Sequence, residues 1–431
     1  MARKMKDSGI EWIGEIPEGW EIHRIKTHFS IISGSGFKPE LQGQSTGDFP
    51  VCKASDISSS GHYLHTSANY ITSDIVKSQH FSIIPKGSIL FAKIGEAMRK
   101  NNRSLCSLDC CVDNNCQGLV PKNISSEFSY YLFTCIDMTW FDNAGTIPCI
   151  NNQKLYDCRI PFPSYGEQTL IANHLNIQCA KINEMLFHIR SSIEEYKKLK
   201  QTVITQAVTK GVRGKREMKD SGVEWIGEIP KEWSTPKIKR LHNGLTDGTH
   251  GTFNRIDSGH ILLSSKNVRE FGIQLGENES FISEADYNLI TANGFPQKDD
   301  VLLCCIGASI GRCTLYEFEE AMAFQRSVIF IRCNSLILPR MMMYDLRSSN
   351  TLLQEQLLVN QSAQAGLYQG LVSEIFISLP PISEQKEIIA YLDAKCAEID
   401  RLIAKKEQLV KELESYKKSL IYEVVTGKQE V

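Results

Sequence analysis

No apolar run in this sequence reaches the ~18 residues that a membrane-spanning helix needs. The opening MARKMKDSG carries charge with no apolar segment behind it, so it does not read as a secretory signal, and a cytoplasmic setting is expected. CxxC pairs are missing as well. Of the 14 cysteines, Cys106, Cys110, Cys111 and Cys116 crowd together, but no paired histidines follow, so reduced, buried thiols are expected and a zinc site is not. Cys304 and Cys305 sit in the apolar run VLLCCIG and read as strand core. Neither sign of charge dominates: 48 Lys and Arg face 50 Asp and Glu, a net charge of -2. A nucleic-acid partner would therefore have to be met by local basic patches.

Motifs that announce chemistry are also scarce. There is no GxxxxGK[ST] loop for a nucleotide-driven motor, and Gly34-Ser-Gly36 is not a dinucleotide fingerprint. No Asn-Pro-Pro-aromatic or Asp-Pro-Pro-Tyr tetrad for adenine methyl transfer occurs, and no HExxH. No catalytic, cofactor-binding or metal-ligating residue is assigned, although a centre assembled from dispersed carboxylates stays open.

What the chain does have is a repeat. MKDSGIEWIGEIPEGW, Met5 to Trp20, returns as MKDSGVEWIGEIPKEW, Met218 to Trp233, with 13 of 16 positions identical. A second pair follows: Glu167 to Asn183 matches Glu384 to Asp400, and Gln206-Ala-Val-Thr209 matches Glu423-Val-Val-Thr426. Each half is thus a short phrase, a long variable stretch and a long periodic segment.

The periodic segments predict helices. Ile182, Ile189, Tyr196 and Val203 recur every seven residues, and Leu186, Ile193 and Ala207 lie on the offset track. In the second copy Ile399, Leu413 and Leu420 occupy the first track, and Ile403, Val410 and Val424 the other. This is a coiled-coil seam, interrupted by Lys406 and Lys417; ordinary bundle helices would be the plainer reading. Ser164-Tyr-Gly-Glu167 is a capping-box pattern, and Pro380-Pro381-Ile-Ser383-Glu384 reads as a stop followed by an N-cap. One amphipathic helix of about 40 residues cannot bury its seam alone, but two in one chain can bury each other.

The first helix leads directly into the second phrase, and the second ends where the first phrase would begin, so the sequence is a closed cycle of two units cut once. The expected fold is mixed α/β: two globular α/β domains separated by two long antiparallel coiled-coil helices, an internal pseudo-two-fold cyclic repeat with its termini together. Expected segments are a clasp at 1–20, a variable domain at 21–163, a helix at 164–211, a second clasp at 212–233, a second variable domain at 234–380 and a helix at 381–431. Antiparallel helices would set the variable domains at opposite ends of a rod. Trp12, Trp20, Trp225 and Trp233 are expected as packing anchors.

Inside the variable domains, Lys86 to Gly95 matches Lys298 to Gly307: a turn, a buried strand, then a glycine. Polar loops surround this island at Gly34–Lys38, Cys52–Asp56, Arg99–Arg103, Asp247–Thr252 and Ser264–Asn267. Their side chains are those that reach base edges and phosphates, although solvated loops have the same composition. The candidate DNA contacts are Lys53, Lys93, Arg99, Arg103, His250, Lys266, Arg312, Gln325 and Arg326.

Taken together, the repeated phrase, the Glu-Gln helix starts at Pro163 to Gln168 and Pro381 to Gln385, the terminal VVTGK and the island DGTHGT with SSKNV resemble one family, the specificity subunit of type I restriction–modification enzymes. The resemblance covers almost the whole chain. It implies two target recognition domains, each reading one half of a bipartite, asymmetric double-stranded DNA target, with helices that fix the gap. It further implies a subunit without catalytic activity that docks two methylation subunits. S-adenosylmethionine, ATP and Mg would then reside on partners, with restriction subunits in the full complex. A coiled-coil scaffold with ligand-binding heads and a single-chain DNA enzyme are the alternatives.

Overall fold

The computed structural model describes residues 3–143, 145–292, 294–360 and 366–431. The chain divides into two compact units, Met1–Ile189 with Gln408–Val431, and Arg190–Glu407. The division cuts both long helices, Tyr165–Lys210 and Ile382–Val425. Each unit therefore holds one variable domain and a stretch of both helices. The physical reason is the seam: the helices bury each other's apolar track, so each part of one belongs with the facing part of the other.

Within each unit the helices run antiparallel. In the first, Lys417 Nζ donates to Asn183 Oδ1 at 2.7 Å. In the second, Lys200 Nζ donates to both carboxylate oxygens of Asp400 at 2.8 Å. These are the same contact made twice, because Lys417 and Asp400 lie 217 residues after Lys200 and Asn183. The lysine that interrupts the sequence seam is thus a repeated polar cross-link, which favours one register over others. Lys406 lies 5.6 Å from the Tyr196 ring, stacked over it. Ile182, Leu186, Ile193, Ala207, Ile399, Leu420 and Val424 are buried, as the heptad track requires.

The first unit carries a five-stranded sheet in the order Phe29–Ser33, Cys116–Pro121, Ile89–Ala92, Arg103–Cys106, Tyr63–Leu64, and a three-stranded sheet ordered Cys111–Val112, Phe49–Cys52, Tyr70–Ile71. The second unit repeats the plan. Its four-stranded sheet runs His242–Asp247, Val328–Cys333, Val301–Cys304, Cys313–Leu315, and its three-stranded sheet Phe281–Ile282, His260–Leu263, Ala323–Phe324. The central strands, Ile89–Ala92 and Val301–Cys304, are buried at every residue, as their unbroken apolar runs require. Cys52, Cys106, Cys110, Cys111 and Cys116 are buried among these strands, and the described chain holds no disulfide. Among the described residues, no helix is long and apolar enough to cross a membrane.

The repeated phrase forms a short hairpin, Met5–Asp7 with Glu15–Pro17 and Met218–Asp220 with Glu228–Pro230, in identical register. Gly427 packs where an added Cβ would press on Pro17 and Trp20, and Tyr422 donates to the Trp12 and Ile13 carbonyls at 3.0 and 3.1 Å. The end of the second helix therefore docks on the first phrase. Ile204, Ala207 and Val208 share a core with Val223, Ile226, Ile229 and Trp233 in the same way.

Candidate nucleic-acid interface

Two sets of pins hold each variable domain to the helices. Trp20 and Trp233 are about 1 % exposed. Each donates its indole N–H to the first-turn glutamate of a long helix: Trp20 to Glu167 at 3.1 Å, Trp233 to Glu384 at 3.0 Å. Arg3 pairs with Glu167, and Arg216 pairs with Glu384 at 2.6 Å. Burial pushes the Glu167 carboxyl up, but donors from Trp20, Arg3 and Ser164 outweigh it and hold it at about 2. The glutamine that follows is buried and works on two backbones. Gln168 accepts from Ser125 N–H and donates to the Pro163 carbonyl, and Gln385 accepts from Leu338 N–H and donates to that of Pro380. Tyr131 to Asn176 (2.7 Å) and Tyr344 to Asp393 (2.6 Å) complete the match. The two sequence signatures, phrase and Glu-Gln helix start, are therefore two sides of one latch. At the second helix start the cap is Pro381, whose carbonyl accepts from Glu384 and Gln385 N–H, not the expected Ser383. Glu384 turns inward to Trp233 and Arg216, and Pro381 has neither an N–H nor a side-chain acceptor to offer, so no capping box closes there.

On this frame the polar loops converge. In the first unit the turn Asp113-Asn114-Asn115 joins Cys111–Val112 to Cys116–Pro121. In the second, Gln325-Arg326-Ser327 joins Ala323–Phe324 to Val328–Cys333. Five backbone hydrogen bonds recur. Cys116 N–H and Val328 N–H close the turns onto the Asp113 and Gln325 carbonyls. Asp113 N–H donates to Cys52, and Gln325 N–H to Leu263. Lys93 N–H donates to Asn115, and Cys305 N–H to Ser327. Gly34 N–H donates to Cys116, and Gly248 N–H to Val328. Ser35 N–H donates to Val112, and Thr249 N–H to Phe324. At both Gly34 and Gly248 an added Cβ would run into the backbone of the facing turn, so only glycine lets the loop approach this closely.

The predicted contacts divide on this geometry. Lys53 and Lys93 flank the first turn; Lys53 Nζ donates to Gln42 at 2.6 Å. His250, Lys266, Gln325 and Arg326 meet around the second turn. There His250 hydrogen-bonds Asp247 at 2.7 Å, and Lys266 pairs with Glu279 at 2.9 Å. Arg312 reaches the same loop from below, donating to the Ser265 carbonyl at 2.7 Å. Arg99 stands apart on the helix Gly95–Arg99, exposed and paired with Glu96 at 2.8 Å. Arg103 is corrected: it is 5 % exposed, lies in a sheet strand and donates two bonds to the Ile136 carbonyl, both at 3.0 Å. Burial lowers the Arg103 guanidinium to about 10. It is a packing residue out of reach of a partner.

Sequence reasoning missed Asn114 and Asn115, both exposed at the tip of the first turn. The signal that could have found them was the 212-residue offset that carries Lys93 onto Cys305, continued past the strand to carry Asn114 onto Arg326. Two further features bear on chemistry. Gly43-Gln-Ser45-Thr-Gly47 has GxSxG spacing, but Ser45 lies exposed in a loop that leads into strand Phe49–Cys52, not on the strand-to-helix turn of a hydrolase nucleophile. Among the described residues, no group of three or more His, Cys, Asp or Glu is placed to hold a metal ion.

One rigid scaffold built twice, each copy ending in a different exposed polar turn, is the anatomy of a recognition protein with two sites of like construction and unlike specificity. The family model described as the Type I restriction modification DNA specificity domain matches residues 17–195 and 262–413, and the chain belongs to that family as a specificity subunit. It is similar to the type I restriction enzyme MjaVIII specificity subunit of Methanocaldococcus jannaschii, 26 % identical over 96 % of this chain and 93 % of that one. It is also similar to the EcoKI specificity subunit of Escherichia coli, 22 % identical over 93 % of this chain and 88 % of that one. A solved chain from work on complex assembly and conformational transition of the type I R-M system shares the fold, with a TM-score of 0.67 at 16 % identity over 96 % of this chain and 99 % of that one.

Proposed function

We propose that the loop cluster around residues 113–115 reads one half of a bipartite, asymmetric DNA target and the cluster around 325–327 reads the other. The chain itself performs no chemistry. It directs, in the cytoplasm, two methylation subunits that carry S-adenosylmethionine and modify adenine, and restriction subunits that use ATP and Mg to cleave. The observation that carries this reading is the repetition of five backbone bonds around two turns with different side chains: the scaffold is kept and the reading surface is changed. Electrostatic attraction to phosphate makes affinity fall with salt. The test is equilibrium binding of the assembled methylation complex to duplex DNA across a salt series. Alanine at Lys53, Lys93 or Lys266 should weaken all sequences alike and lower the salt slope by about one for each phosphate that no longer meets a cation. Unchanged affinity and slope in all three would place the interface on another face. The purified chain without partners should transfer no methyl groups.

A further inference from the structure

Asn114 and Arg326 occupy the same position of the same turn. Each is the middle residue of a three-residue connection between a short buried strand and a long one, closed by the same bond between the flanking residues. Both are exposed. Among the described residues, neither side chain has a hydrogen-bond partner, whereas Arg99, His250, Lys266 and Arg312 are each held by a protein group. The backbone beneath them is fixed on every side, by Ser35 or Thr249, by Cys52 or Leu263, and by Lys93 or Cys305. A free polar side chain on an immobile backbone loses little entropy beyond its own rotamers on meeting a partner. Replaced by glycine or a small residue, these turns would close equally well, so folding does not explain an amide in one copy and a guanidinium in the other.

The chemistry of the two groups differs in one respect that matters in a major groove. A carboxamide offers a donor and an acceptor side by side and matches adenine N6 and N7; a guanidinium offers two donors and matches guanine O6 and N7. We propose that Asn114 and Arg326 are the equivalent base-discriminating side chains of the two units, Asn114 selecting adenine in one half-site and Arg326 guanine in the other. Asn115 differs from Asn114 in that its side chain donates to Asp113 at 3.4 Å and its backbone N–H donates to the same carboxylate at 3.1 Å. The inference rests on the interface reading above.

The test uses the complex of the full chain with its methylation subunit. Motifs are recovered by methylome sequencing, and affinities are measured on duplexes carrying each base at every target position. Asn114→Ala and Asn114→Asp should relax one position in one half-site, with discrimination falling roughly 10- to 100-fold. Arg326→Ala and Arg326→Lys should do the same at one position in the other. The opposite half-site and the melting temperature should stay as in the parent. Should a variant methylate too weakly for a motif to be recovered, the affinity panel still reports discrimination. Parental discrimination in all four variants overturns the inference. If Lys53, Lys93 and Lys266 variants nevertheless weaken binding, the interface reading survives that failure; if they too are silent, both fall.

Discussion

Arg103 and Arg326 carry the same guanidinium in opposite settings, and sequence alone could not separate them. Arg103 ends a polar run and has the composition of an exposed basic loop. Only the pairing of strand Arg103–Cys106 with Ile89–Ala92 turns it inward, and that is a long-range fact. Its replacement should act on stability. Arg103→Ala leaves the Ile136 carbonyl unpaired and a cavity behind, costing about 3 kcal/mol in urea unfolding, while the methylated motif keeps every base. Glu355 shows a second effect of a single buried side chain. It is 1 % exposed, its Oε1 has no partner among the described residues, and burial pushes its carboxyl up from 4.5 to about 8. The folded chain therefore holds a proton that the unfolded chain releases above about 4.5. Stability is highest below that value and is lost as pH rises toward 8. Glu355→Gln should remove most of that slope and be more stable than the parent at pH 8 by about 3 to 5 kcal/mol, with little difference near pH 4.5. Asp345, raised from 3.8 to about 7 by burial despite bonds from Thr351 and Ser378, adds a loss of the same sign over its own window, from about 3.8 to about 7.

At the level of elements, the helices were the most legible part of the sequence, because a heptad track is local and repeats. Their polar exceptions were not. Lys417 reads as a defect until its partner Asn183 is seen, and Lys200 with Asp400 reads as surface charge until the pair is found between the helices. The latch was half legible: both signatures stand out as repeats, but the bond from Trp20 to Glu167 spans 147 residues and no spacing rule reports it. Both long helices pass from one unit to the other without a break, so a change in helix length should be felt in the DNA target. Four residues inserted after Thr202 add about one turn, ~6 Å, and nearly keep the helical phase. At ~3.4 Å per base pair, the methylated motif should keep both half-sites and lengthen its spacer by one or two base pairs. An active complex that methylates the original motif would show that the helices do not measure the gap.

For the whole molecule, the cyclic repeat was legible because the matching segments are long and the offsets of 213 and 217 residues are nearly equal. Which variable-domain residues correspond was legible only in islands such as Lys86–Gly95 with Lys298–Gly307, because outside them the two domains share little sequence and the offset drifts. Their equivalence lies in backbone hydrogen bonds such as Gly34 to Cys116 and Gly248 to Val328, to which many side chains conform. That is also why one scaffold can carry two readings. The central claim is that each variable domain reads its own half of the target. It is tested most directly by replacing residues 21–162 with the corresponding domain of a relative that reads a different sequence, keeping the latch residues Trp20, Glu167 and Gln168, and sequencing the methylome of a host that carries the chimera with its methylation subunit. The account predicts a motif in which one half-site takes the relative's sequence and the other is unchanged; a motif altered in both halves would contradict it.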